Sequence, residues 1–507
     1  REPRAQLLQV RQVVARRPRH RVNGAKLRAG GGSQEQQAPA RAARRRIAIH
    51  CRMIAVRAVP PQGAGLARPP ASRSVVPSSR GVPTMDALES DCQARDAADA
   101  LAPYRAEFLV PRHHDGSEQA YLCGNSLGLQ PAATRAALMQ ELDDWRDLAV
   151  EAHFRGRHPW MPYHALVREH LAEVAGALPQ EVVAMNSLTV NLHLMMVSFY
   201  RPTAERHAIL IEKRAFPSDR HAVESQLRFH GHDPALALIE VDGDEAGGAL
   251  SLDAIGAVLD QHGPRIALVL LPGVQYLTGQ VFDLAAIAAM AHRKGCSVGF
   301  DLAHAIGNVP VNLHDTHADF AVWCSYKYLN SGPGAVAGCF VHERHAHTPR
   351  PRFAGWWGHE EATRFRMGPE FVPAPGADGW QLSNPPILAL APVRVSLEIF
   401  HRAGIERLRA KSIAMTGWLA GLIERECAQV LEILTPAEPA RRGSQLSLRV
   451  KGARHDGRAL FDHLAGLGII GDWREPDVIR IAPTALYNRH ADGLRFVRAV
   501  REWAARQ

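Results

Sequence analysis

Cysteine is scarce in this chain, with 7 in 507 residues, and no two stand in C-x-x-C spacing. Cys51, Cys92, Cys123, Cys296, Cys324, Cys339 and Cys427 mostly occupy apolar stretches. That argues against a disulfide framework or a thiolate zinc site and predicts free thiols in a reducing cytoplasm. Long apolar runs are missing as well. IALVLLPGV is far short of the roughly 20 residues that cross a bilayer as a helix, so no membrane partner is expected. The 26 histidines are scattered, and HGHD and HERHAH read as solvated loops, so no metal is expected. Acidic residues are nearly absent from the first 84 positions, where 18 Lys and Arg face 2 Asp and Glu, leaving 42 basic against 49 acidic residues elsewhere. The net charge of +9 therefore belongs to the N-terminal stretch. The mildly acidic remainder gives no ground for a nucleic-acid partner.

Residues 1–84 are rich in Arg, Gly, Pro and Ser, show no amphipathic pattern and begin with Arg. They are expected to be disordered or translated upstream sequence, with an Arg-rich transit peptide as the rival and Met85 as a candidate start. Residues 85–163 combine helical spacing with the turn YLCGNSLGLQP and the loop EAHFRGRHPWMPY, and are assigned to a small domain as its N-terminal segment. From residue 164 to about 345, helical patterns alternate with the short apolar runs VVAMNS, HAILIEK, ALALIEV, RIALVLLPG, SVGFDL, FAVWCSY and GCFVHE. Such alternation predicts an α/β fold with a mostly parallel sheet, in a large domain over 164–392, with ligands at the carboxyl ends of its strands. Residues 393–507 read as one long helix through VRVSLEIFHRAGIERLRAKSIAMTGWLAGLIEREC, then SQLSLRV, a further helix, the strand DVIRIAP and a final helix, giving a smaller α+β domain.

Against this background, the segment DFAVWCSYKYLNSGPGAVAGCF uses an apolar and aromatic run to deliver Tyr326 and Lys327 just before a glycine-rich turn. Upstream, CSVGFDLAH reads as a buried strand ending in Asp301, with His304 three residues on. A carboxylate and an amine would then emerge from the same sheet edge. That pair suits pyridoxal 5'-phosphate (PLP). A lysine held as its Schiff base must be able to lose a proton, which partial burial beside other cations favours. A buried carboxylate keeps the pyridine nitrogen protonated, so that the ring acts as an electron sink. Taken singly, Lys327 reads more readily as one surface lysine and Asp301 as one helix cap among many; their joint placement makes the case.

From about residue 100 to the C-terminus the chain resembles the kynureninases, PLP-dependent hydrolases of fold type I, through YLCGNSLGLQP, NSLTVNLHLMM, RAFPSDRHAVESQ, GFDLAHAIGNV, WCSYKYLNSGPG, GWWGHE, LSNPPI and IRIAPTALYN. The resemblance implies that Leu188 and Thr189, opening a helix, meet the cofactor phosphate, a role suited to free amide hydrogens. It implies that Phe216 stacks on the pyridine ring, that Asp219 lies near its polar edge, and that Pro217 and Ser218 shape the loop between. Asp301 and His304 would flank the ring, Lys327 would carry the cofactor, and Tyr326 would reach the phosphate or the reacting carbon. Trp356 and Asn384 would come from the second subunit of a homodimer. Where relatives often have a phosphate-binding Ser or Thr, this chain has Pro272, which offers neither hydroxyl nor amide hydrogen.

The implied reaction is hydrolysis of kynurenine or 3-hydroxykynurenine to L-alanine and an anthranilate, within tryptophan catabolism and NAD biosynthesis. Arg480 is the implied clamp for the substrate carboxylate, since a guanidinium makes two parallel hydrogen bonds to it. Asn125 and Ser126 could add polar contacts. Tyr326 would act as acid and base in later steps if nearby positive charge lowered its pKa. His153, Ser383 and Asn384 are implied around the aryl ring. All three hydrogen-bond, which predicts a preference for the 3-hydroxy substrate. A cysteine desulfurase or an aminotransferase is the alternative within the same fold. A non-catalytic scaffold is the other, against which the retained Lys327 argues.

Overall fold

Valine, isoleucine, leucine and phenylalanine fill the seven short runs that form the main sheet of the computed structural model, which describes residues 85–507 apart from Ala453. The expectations for residues 1–84 lie outside the described residues. The strands are β1 (Val182–Ala184), β2 (Ala208–Glu212), β3 (Leu238–Val241), β4 (Ile266–Pro272), β5 (Ser297–Asp301), β6 (Phe320–Trp323) and β7 (Gly338–Val341). Their order is β1-β7-β6-β5-β4-β2-β3. The central pairings are parallel, and only β7 runs against its neighbours. Both faces are covered. Leu210, Val269, Leu271, Val298, Phe300 and Trp323 enter one core, while the intervening Ile209, Ile211, Leu268, Leu270, Phe320 and Val322 enter another on the opposite side. A parallel sheet buried on both faces needs such continuous apolar strands.

The C-terminal part builds a second, antiparallel sheet, with strands β8 (Leu431–Ile433), β9 (Leu446–Val450), β10 (Asp472–Arg474) and β11 (Val478–Ile481) in the order β8-β9-β11-β10. Helix α1 (Met85–Ala97) packs against the terminal helix α8 (His490–Ala504), where the Asp96 carboxylate accepts the backbone N–H groups of His490 and Ala491 at 2.6 and 3.0 Å. Those orphan donors are the ones a helix start must satisfy. Leu88, Cys92 and Leu122 share a core with Leu448, Ile479, Ile481 and Phe496, whereas Leu101, Phe108, Leu129 and Tyr163 enter the core of the main sheet. The N-terminal segment thus contributes to both cores. Residues 393–426 do not form the single helix expected. Gly404, at φ 76°, separates α5 (Ile387–Ala403) from α6 (Ile405–Glu426). A positive φ of this kind is free for glycine and strained for other residues.

Two polar knots fasten the far side of the main sheet. Glu181 is fully buried, and its oxygens accept Leu178 N–H and Glu343 N–H at 2.9 and 2.8 Å, with His314 Nδ1 at 3.1 Å. Asp319, just before β6, accepts Val298 N–H at 2.7 Å, Arg344 Nη2 at 2.7 Å, His345 Nε2 at 2.7 Å and His292 Nε2 at 3.0 Å. Burial alone would raise the pKa of this carboxyl, but the His292, His345 and Arg344 contacts hold it well below the usual aspartate value. A depressed folded-state pKa adds stability above the unfolded-state pKa of about 3.9, lost as pH falls through the folded value. Asp319→Ala should therefore destabilise the protein by about 1–3 kcal/mol at neutral pH, because it leaves the Val298 N–H and the buried His345 without their acceptor. Thermal unfolding should show a lowered Tm from pH 5 to 8, with the gap to wild type narrowing as pH drops below about 4. An unchanged Tm at pH 7 would show that the knot contributes nothing.

Candidate active site

Strand β6 is wholly buried and leaves the sheet through Cys324 and Ser325 into a tight turn carrying Tyr326 and Lys327. The turn is closed by Asn330 N–H to Lys327 O at 2.9 Å and Ser331 N–H to Ser325 O at 3.0 Å, with Asn330 in the left-handed region at φ 57°. The GNSLG turn locks onto it, as Gly128 N–H donates to Tyr326 O at 2.9 Å. A Cβ at Gly128 would collide with the Lys327 carbonyl oxygen and the Asn330 side chain, so only glycine lets the two turns meet.

Lys327 faces a cavity of about 170 Å³ at the carboxyl ends of the strands. Its walls include Leu188, Thr189, Phe216, Ser218, Asp219, Pro272, Asp301, His304 and Tyr326, and thus most of the sequence-predicted cofactor set. Strand β5 ends in Asp301, whose Oδ1 accepts Ala303 N–H at 2.7 Å. Helix α2 (Leu188–Phe199) opens at Leu188, and Thr189 Oγ1 lies 2.9 Å from Ser218 Oγ. Pro217 occupies the first turn of α3 (Pro217–Phe229), where its missing N–H costs nothing, and Phe216 is the residue just before it. Phe216 is 39% exposed, and Lys327 Nζ stands 5.8 Å from its ring centroid. Room for a planar ring is thus left beside an aromatic face and an amine.

The electrostatics are those of a crowded polar pocket. Lys327 Nζ is 3.0 Å from His304 Nε2. Burial, with the Lys327 cation next, drives the pKa of His304 well below the usual histidine value, so the ring is neutral and accepts from the lysine. Its Nδ1 then bears the hydrogen and, like Asp219 Oδ1, has no hydrogen-bond partner among the described residues although buried. Burial also raises the Asp219 carboxyl, helped by Asp301 and Glu212. Two stranded polar atoms beside a lysine call for a polar ligand. Glu212, at the end of β2, lines the same cavity and is pushed up to about 8 by burial and by Asp301. It was not anticipated, although AILIE shows the same sign as SVGFD, an acid closing an apolar strand. Tyr276 was also missed; its ring meets Phe216 at 5.2 Å between centroids. Tyr326 departs from expectation: burial, Cys324 and Asp301 all push its phenol up.

Arg480 lies on β11 with its side chain fully buried; it does not itself line the cavity, but its Nη1 donates at 2.6 Å to the backbone carbonyl of Tyr276, which does. It also contacts Asp472 and Ser126. Asn125 is buried beside them and donates to Gln445 Oε1 at 3.0 Å. The other predicted residues do not line the cavity of this chain. Trp356 is exposed and donates to Arg364 O at 3.1 Å, Ser383 and Asn384 are exposed, and His153 packs against Trp160 at 5.3 Å between centroids.

A family model described as the kynureninase C-terminal domain matches residues 408–500. A kynureninase of Stenotrophomonas maltophilia is 65% identical over 412 residues, covering 81% of this chain and 97% of that protein. A kynureninase of Xanthomonas campestris pv. campestris is 64% identical over 416 residues, covering 82% and 98%. Among solved structures, the cysteine desulfurase CsdA of Escherichia coli superposes with a TM-score of 0.64 at 17% identity, covering 80% of this chain and 98% of that one. A variant of C-DES with glycine covalently linked to its PLP cofactor does so with a TM-score of 0.62 at 18% identity, covering 78% and 98%. At such identities the structures show the fold alone, that of fold type I PLP enzymes. The sequence likeness reaches almost the full length of its relatives, and the chain belongs to the kynureninase family.

Proposed function

We propose that this chain hydrolyses the bond between the β and γ carbons of L-kynurenine and 3-hydroxy-L-kynurenine, releasing L-alanine with anthranilate or 3-hydroxyanthranilate. The observation that carries this reading is one cavity uniting Lys327, Asp301, Asp219, His304 and Phe216 in a chain of this family. The desulfurase alternative needs a mobile reactive cysteine, yet the six described cysteines are all buried. Those buried free thiols also favour a reducing, cytoplasmic setting. Among the described residues, no helix is long and apolar enough to cross a membrane. In domain terms, residues 164–392 form the large cofactor-binding part, and 393–507 with 85–163 the smaller one.

The cavity fits PLP, which when bound supplies an electron sink next to the substrate α-carbon. Lys327 would hold it through Nζ and, once freed, take the α-proton; His304, neutral and 3.0 Å away, accepts a hydrogen bond from that amine and so orients it. Asp301 would keep a positive charge on the ring nitrogen, and Phe216 would cover the ring face. The first amides of α2, at Leu188 and Thr189, with the Thr189 and Ser218 hydroxyls, would bind the phosphate. Pro217 sets the start of α3 and so the direction of Ser218 and Asp219. Pro272 lines the cavity without a donor, so one phosphate contact is missing. With its pKa raised, Tyr326 enters the reaction holding a proton and serves first as an acid.

Arg480 would bind the substrate carboxylate, with Ser126 beside it. The aryl ring would meet His153, Ser383 and Asn384, and Trp356 and Asn384 would arrive from a second copy of the chain. Two features support a homodimer. These side chains are outside the cavity of their own chain. An open apolar groove lined by Leu109, Leu127, Leu129, Leu138 and Leu388 adjoins the Asn330–Gly334 turn that follows the lysine.

Incubation of the PLP-loaded protein with each substrate should give equimolar L-alanine and the matching anthranilate, with 3-hydroxykynurenine preferred. Lys327→Ala should abolish product; persistent alanine release would remove the lysine from the mechanism. His153→Phe should narrow the ratio of kcat/KM values between the two substrates by about 10-fold or more if a hydroxyl contact is lost. An unchanged ratio would exclude His153 from ring recognition.

A further inference from the structure

Asp472 on β10 and Arg480 on β11 are register partners across an antiparallel pair, so their side chains lie on one face. Arg480 Nε donates to Asp472 Oδ1 at 2.9 Å, Nη2 lies 2.8 Å from that oxygen and 3.2 Å from Ser126 Oγ, and Nη1 donates to Tyr276 O at 2.6 Å. Arg474 reaches the same carboxylate, with Nη2 3.0 Å from Oδ2 and Nε 2.9 Å from Oδ1. Ser126 Oγ donates to Asp472 Oδ2. Burial opposes the charge on Asp472, but Arg480, Ser126 and Arg474 hold its carboxyl below the usual value. Of the five N–H donors of a guanidinium, Arg480 therefore has one left.

That arrangement conflicts with a two-bond clamp on an incoming carboxylate unless Asp472 lets go. It can do so without being stranded, because Arg474, with a side chain 36% exposed, already holds it independently. Arg480 cannot be left alone, since its side chain is 0% exposed. A buried cation without a counter-charge is strongly destabilising. Two guanidiniums and one carboxylate also leave a single positive charge, which one amino-acid carboxylate neutralises.

We propose that Asp472 is an internal surrogate for the substrate carboxylate: it occupies Arg480 in the free enzyme and passes to Arg474 and Ser126 when an amino acid binds. The proposal rests on the reading of Arg480 as the carboxylate clamp. Its consequence is that every amino acid, the product L-alanine included, binds against an intramolecular competitor, which speeds product departure. Asp472 is thus a positioning residue acting through Arg480.

L-Alanine titrated into the PLP-loaded enzyme, followed by the change in cofactor absorbance, measures this competition without turnover. Asp472→Asn keeps the shape but weakens the hold on Arg480, and should lower the Kd for L-alanine about 10-fold. A residue needed only to support Arg480 would give a higher Kd, and a bystander an unchanged one; either result overturns the proposal. Arg474→Ala should raise the Kd about 10-fold by removing the alternative partner of Asp472, with the double variant returning to the Asp472→Asn value. If Asp472→Asn does not fold, the Arg474→Ala titration decides alone, and an unchanged Kd overturns the exchange. Arg480→Ala controls for the underlying reading: wild-type alanine affinity in that variant would mean that the clamp assignment fails, whereas lost affinity with no tightening in Asp472→Asn would mean that only the exchange fails.

Discussion

A parallel sheet covered on both faces has no place for a polar side chain except beyond its strand ends. That constraint organises the molecule. Strands β2, β4, β5 and β6 are almost wholly buried, and each releases its first polar or turn-forming residue at the same edge. Glu212, Asp301 and the Tyr326–Lys327 pair converge there because nothing else could have been tolerated a few residues earlier. The cavity is the place where the alternation of inward apolar residues stops.

What gathers at that edge is held by compensation among charges. Glu212 and Asp219 are driven toward their neutral forms by burial and by each other's neighbours, and His304 is driven neutral from the opposite direction. The pocket thereby avoids the cost of several adjacent like charges in a low dielectric. Two of its buried polar atoms, His304 Nδ1 and Asp219 Oδ1, have no hydrogen-bond partner among the described residues. A polar knot of the other kind, around Asp319, is fully satisfied and lies before the amino side of β6. The contrast separates groups that stabilise the fold from groups that wait for a partner.

Much of this was legible in the sequence because the signal is local. SVGFDLAH and FAVWCSYK each show an apolar strand followed at once by a chemical group, and the structure puts both at the cavity. The same logic covers Glu212, whose strand AILIE ends in an acid, but no familiar motif drew attention to it. Asp472 was not legible for a different reason. Its meaning comes from Arg480, eight residues away in sequence but directly opposite across a strand pair. The break at Gly404 escaped notice because the apolar spacing continues through it, and only the positive φ ends the helix. His153, Trp356, Ser383 and Asn384 could be named from family likeness alone, since within one chain they do not line the cavity.

The contact between Gly128 and the lysine turn, together with the link from Arg480 to Tyr276, spans nearly the whole described chain. Such long-range contacts must close large loops before they reward the chain. During synthesis, the large sheet can form while the strand bearing Arg480 is still inside the ribosome, but the Tyr276 loop beside its cavity then lacks the Arg480 contact. The cavity around Lys327 is therefore separable in synthesis from the Asp472–Arg480 pair, which must await the last strand to emerge.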